Sequence, residues 1–137
     1  MKILKPTLIV IGIIQLALGV MFLVPGLFAS VMGLPSGPGW TDWMFAMLGA
    51  RAIGFAFGMF VTSRDPRAHL SWIAAMIAVQ TIDWVATLAY LATGTVTIAQ
   101  VTTAAFLPVV FVSILLRYSP RRVAAEVPAR THSPIGG

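Results

Sequence analysis

The chain has 137 residues, of which 58% are hydrophobic and only 9% charged, with a mean hydropathy of +0.93. A soluble domain carries charge on about a quarter of its residues, so water is excluded as the solvent for most of this surface and lipid is expected in its place. The formal charge of +5 comes without a single cysteine, which excludes disulfides, thiolate metal sites and thiol catalysis.

Lys2 and Lys5 precede a first uncharged run, Thr7 to Val24, long enough to cross most of a bilayer core of ~20 residues. Its length favours a retained span over a signal peptide. Pro25-Gly26 ends it, because proline cannot extend the hydrogen-bond ladder and glycine frees the backbone. Leu27 to Leu34 reads as a short interfacial half-helix, and Pro35 to Trp40 as a turn-rich loop. Trp40 and Trp43 mark a membrane–water boundary, from which a second span runs over Asp42 to Val61. Thr62 to Leu70 is a charged loop with Arg64, Asp65, Arg67 and His69. A third span covers Ser71 to Ala92, Thr93-Gly94-Thr95 is a tight connection, and a fourth runs from Val96 to Leu116 with a kink expected at Pro108. The reading is an all-α, four-span membrane bundle over 1–117 and a basic tail over 118–137.

Basic residues fall on alternate segments. Lys2 and Lys5, then Arg64 and Arg67, then Arg117, Arg121, Arg122 and Arg130 flank the spans on one side, and the 25–41 and 93–95 connections hold none. This is the positive-inside pattern, placing both termini in the cytoplasm. It accounts for the net charge without a nucleic-acid partner.

The ninth basic residue, Arg51, lies inside the second span, nine positions after Asp42 (51 − 42), or about 13–14 Å of helix rise. Asp83 is the one acidic residue deep within a span and lies nine positions before Ala92 (92 − 83) on the antiparallel third helix. Equal depth predicts an Arg51–Asp83 salt bridge, since an isolated charge at the centre of a span costs about 2.5–3.5 kcal/mol on insertion scales. Met76, Gln80, Asp83, Thr87 and Tyr90 recur at helical spacing as one inward stripe. With Gln15 of the first span, Gln80, Thr87 and Tyr90 are expected to build a hydrogen-bonded interior around the pair. Gly12 and Gly19 on the first helix, and the row Ala50, Gly54 and Gly58 on the second, are expected to let neighbouring backbones approach closely.

Two readings of the pair follow: a pin for helix register, or a coupling site for a proton or ion. The structural reading has the stronger physical case, because a neutralised pair is a poor proton carrier. His69 and His132 lie outside the spans, so no intramembrane imidazole can ligate a haem. Phosphate-loop, HExxH and GxSxG motifs do not occur, and no cofactor or enzymatic activity is expected.

Small multidrug-resistance transporters are similar in size but depend on a first-span glutamate, where this chain has Gln15, a departure that counts against the same proton-coupled scheme. The proline-glycine end of the first span, the amphipathic segment LFASVMGLP and LGARAIGFAFG (Leu48 to Gly58) together resemble the DoxX-like group of small four-helix bacterial membrane proteins. The resemblance covers roughly Thr7 to Leu116 and implies a four-helix architecture and, by analogy with some members, accessory roles in membrane redox complexes. The expected function is a non-catalytic accessory or scaffold subunit surrounded by lipid and other integral subunits, with Arg117, Arg121, Arg122 and Arg130 as partner or lipid contacts. The alternative is a small transporter or channel using Arg51 and Asp83.

Overall fold

The computed structural model describes residues 2–119. The tail arginines Arg121, Arg122 and Arg130 lie outside the described residues. The elements are α1 (Leu4–Leu23), α2 (Leu27–Met32), α3 (Gly39–Arg64), α4 (Leu70–Ala92) and α5 (Ile98–Tyr118). No strand occurs among the described residues. Helices α1, α3, α4 and α5 are each long and apolar enough to cross a membrane.

Local chemistry sets the boundaries. The first helix begins a turn earlier than the apolar run suggested. Pro6 is tolerated there because N–H groups in a first turn have no intrahelical acceptor. Val24 turns extended, as residues before proline do. Gly33, at φ 65°, closes α2 with the Leu34 N–H donating to the Ala29 carbonyl at 2.8 Å, a turn a side-chain-bearing residue adopts only with strain. Thr97 and Gln100 form a capping box that starts α5. The α3 helix is longer at both ends than expected, so Trp40, Asp42 and Trp43 lie in its first turns and the charged connection shrinks to 65–69.

The kink expected at Pro108 is placed elsewhere. The backbone of α5 leaves helical geometry at Val101 (φ −119°, ψ 19°), just past the capping box. Pro108 removes the N–H that would bond the Ala104 carbonyl. On the next carbonyl, that of Ala105, the Trp84 indole of α4 donates at 2.9 Å. A neighbouring helix thus supplies a donor to the loosened turn, one way membrane helices keep a proline without breaking.

The most extensive packing joins α1 to α3, and the next joins α4 to α5. Gly19 and Gly49 make the first possible. A Cβ on Gly49 would lie 2.8 Å from the Gly19 carbonyl oxygen, and one on Gly12 would lie 2.7 Å from the Phe60 ring. The distal part of this pair is filled by Phe22, Phe28 and Phe45, with ring centroids 4.7–5.6 Å apart.

All four long helices meet at the end that carries the amino terminus. Leu4, Leu8 and Ile11 of α1, Met59 of α3, Ile73 and Met76 of α4, and Phe111 and Leu115 of α5 form one buried core there. The turn below it is tied by the Asp65 carboxylate, which accepts from the backbone N–H groups of Arg67 (3.1 Å) and Ala68 (3.3 Å). Lys5 Nζ donates to the carbonyl of Arg64 at the end of α3 (3.3 Å), a favourable site for a cation. At the opposite end the amide of Gln100 on α5 donates to the Gly33 carbonyl at 3.2 Å.

Helices α3 and α4 touch far less than either main pair. Besides the core, their contact includes Trp72, whose ring lies over Gly58 and stands edge-on to Phe55 (centroids 6.2 Å apart, 88° between planes). A Cβ on Gly58 would fall inside the indole, whereas one on Gly54, a turn further along, would meet nothing within 4 Å. Gly58→Ala is therefore expected to destabilise the fold by about 1–3 kcal/mol through overpacking. Gly54→Ala should leave stability unchanged or raise it by up to ~1 kcal/mol through helix propensity. Thermal melts of the two variants in one detergent check the difference.

Candidate functional site

The face of α3 that meets α4 is identified by Phe55 and Gly58 against Trp72. Arg51 lies four residues before Phe55 and seven before Gly58, so it continues that face. On α4, Trp72 and Met76 are followed at helical spacing by Asp83, which continues the corresponding face. Arg51 is thirteen residues before the end of α3 (64 − 51) and Asp83 thirteen after the start of α4 (83 − 70). Each stands about 20 Å of helix rise from the shared turn. The two charges are therefore equidistant from the shared turn, on the two helices that flank the sparsely packed α3–α4 opening.

They do not pair. The salt bridge expected from the sequence is absent: both residues are exposed, and no ion pair joins them. Among the described residues the Asp83 carboxylate makes no ion pair, and the Thr87 hydroxyl reaches only the main-chain carbonyl of Asp83. Counted from the shared turn the two residues are equidistant, whereas from the opposite helix ends the counts differ (51 − 39 and 92 − 83), and α3 and α4 make few contacts with each other. The side-chain contacts identified between the two helices, Trp72 on Gly58 and Met59 in the core with Ile73 and Met76, lie near the shared turn.

The expected polar interior is divided as well. Gln15 of α1 and the buried Gln80 of α4 both direct Nε2 at the Met76 sulfur, at 4.0 and 3.7 Å, a weak acceptor shared by two amides. Thr87 turns its hydroxyl back to the Asp83 main-chain carbonyl (2.7 Å), not to the carboxylate. Tyr90 is 58% exposed near the end of α4. Gln15, Met76 and Gln80 thus make one cluster, Asp83 and Thr87 are linked only through the backbone, and Arg51 and Tyr90 stand apart from both.

The small-residue positions also separate. Gly12, Gly19 and Gly58 lie against Phe60, Ile53 with Gly49, and Trp72 respectively. Ala50 is exposed and Gly54 faces open space, so the row 50–54–58 is engaged only at its last member. The buried seam of α3 against α1 is instead the neighbouring row Gly49, Ala52 and Ala56. That row was also visible in the sequence as small residues at helical spacing. Choosing between the two requires knowing which face meets α1.

Arg117 is exposed at the end of α5, beside the closed end of the bundle. Trp72 and Trp84, which no sequence motif singles out, join α4 to its two neighbours. Asp42 accepts from the Gly26 N–H at 3.3 Å and so ties the turn after α1 to the start of α3. No grouping of three potential metal-ligating side chains occurs among the described residues.

Comparison with protein-family models, curated proteins and solved structures finds no match to the chain.

Separated walls imply independent side chains. In the detergent-isolated monomer the stability changes of Arg51→Gln and Asp83→Asn are expected to add, with a coupling below about 0.5 kcal/mol in a double-mutant cycle. A coupling of about 2 kcal/mol or more would reveal a direct pair within one chain.

Proposed function

We propose that this protein is a non-catalytic accessory or scaffold subunit of a larger assembly in a bacterial cytoplasmic membrane, with both termini in the cytoplasm. The observation that carries the assembly reading is the exposure of Arg51 and Asp83 halfway along two helices long enough to span a bilayer. Hydrocarbon does not solvate such groups. Another protein helix does, by presenting counter-charges and hydrogen-bonding side chains at the same depth. The vacant Ala50–Gly54 surface beside Arg51 suits the close approach of a helix.

The orientation rests on charge. Lys2, Lys5, Arg64, Arg67 and Arg117 all belong to the closed end of the bundle, whereas the 25–38 and 93–97 connections at the opposite end hold no Lys or Arg. That distribution is the one the positive-inside rule assigns to a cytoplasmic face. In this reading the tail arginines extend the same basic surface toward lipid headgroups or partner subunits, and the DoxX-like resemblance of Leu48 to Gly58 is in keeping with it.

A second reading is favoured by one observation. Gln15 and Gln80 place two amides beside Met76, on the same helix α4 that carries Asp83. A small transporter or channel would use these two amides with Arg51 and Asp83 as its polar path.

Native mass spectrometry after mild detergent extraction from the host membrane separates the two. Stoichiometric retention of other integral subunits is the outcome expected of an accessory subunit. A chain free of other subunits in every mild detergent, with ion or solute flux in liposomes abolished by Asp83→Asn, would overturn it in favour of the transporter.

A further inference from the structure

We infer that the lateral opening between α3 and α4 is the seat of a second copy of this chain, with Arg51 of each copy paired to Asp83 of the other. The inference deepens the assembly reading of the opening by naming its occupant, and it rests on that reading.

The argument is one of symmetry and charge. The opening has one cationic wall and one anionic wall, and both charges stand thirteen residues from the same closed end (64 − 51 and 83 − 70). A two-fold axis along the membrane normal carries each residue to an equal depth in the partner. It therefore brings the Arg51 wall of one copy to the Asp83 wall of the other, twice over. An isologous interface of this kind is self-complementary without any further requirement on sequence. A partner of unrelated sequence would have to supply one acid and one base at the same level. A lipid headgroup would have to leave the interface for the middle of the span.

The surface around the charges fits a helix. Gly54 is open on the side where a Cβ would project, and Ala50 is exposed a turn away. Together they leave a shallow seam beside Arg51 along which another helix can lie close. Residues further down the wall are unavailable, because Gly58 is already covered by Trp72. The seam thus begins where the chain's own α3–α4 contact stops.

Charge reversal tests the arrangement, and mixing distinguishes it from a pair formed by closure within one chain. Two differently tagged populations are co-reconstituted in lipid, and dimers are read by energy transfer and by capture of one tag through the other. Wild-type chains are expected to associate. Arg51→Asp chains mixed with one another set Asp against Asp, Asp83→Arg chains set Arg against Arg, and each should associate at least tenfold more weakly. An Arg51→Asp population mixed with an Asp83→Arg population restores both intermolecular pairs, and association should return to near the wild-type level. An intrachain pair gives the opposite result: the mixture stays dissociated, because each chain carries two like charges.

Gly54→Leu provides a variant that leaves the charges untouched. A Cβ at this exposed position meets nothing within 4 Å, so the monomer's melt should be unchanged or raised while dimer association falls at least tenfold. If the reversed-charge chains fail to insert, this variant decides the matter. Wild-type chains that remain monomeric, a mixture that is not rescued, or a Gly54→Leu dimer of wild-type strength would each overturn the inference. Retention of foreign subunits by a chain that never self-associates would overturn it while leaving the accessory role intact. Self-association without foreign subunits would do the reverse.

Discussion

The packing of the Trp72 indole onto Gly58 governs how the two halves of this protein meet. A glycine lets the ring lie directly on the α3 backbone, and Phe55 supports it edge-on. Aromatic pairs in such geometry add about 0.5–1.5 kcal/mol beyond their area burial. The contact sits beside the only core shared by all four long helices, near the turn that joins α3 to α4. Past this point, the α1–α3 pair and the α4–α5 pair have their own internal contacts and little reason to stay together.

Each pair is held by a different device. The α1–α3 pair approaches through glycines that face one another, Gly19 and Gly49, and ends in a cluster of three phenylalanine rings. The α4–α5 pair uses an indole hydrogen bond next to the turn that Pro108 disturbs. The Gln100–Gly33 hydrogen bond returns α5 to the α2 turn at the far end. That tie leaves the gap between α3 and α4 as an opening on the side of the bundle.

Polar groups divide accordingly. Those near the shared core are satisfied inside the chain: Thr62 on the Gly58 carbonyl, Gln15 and Gln80 on the Met76 sulfur, and Asp65 on its own turn. Arg51 and Asp83 lie beyond the core and have no internal partner among the described residues. In hydrocarbon such groups are costly unless neutralised, and the assembly proposed for this chain would supply that neutralisation from a neighbour.

The sequence by itself determined the number and order of the long helices, because span length, hydropathy and proline-glycine punctuation are local properties of the chain. It also determined the level of Arg51 and Asp83, since depth along a helix is residue count multiplied by a constant rise. Helix ends were off by a turn where local rules compete, as at Pro6, which a first turn accepts, and at Trp40 to Asp42, which α3 absorbs. Whether the level charges touch was decided by tertiary structure, because equal depth constrains one coordinate and pairing requires all three. Position along a helix says nothing about the separation of two helix axes, which depends on the tertiary contacts, here Trp72 on Gly58 near the turn and otherwise sparse packing between α3 and α4. The choice of the Gly49 row over the Ala50 row as the buried seam has the same origin. Both rows are small residues at helical spacing, and only the position of α1 distinguishes the face that is covered from the face left open.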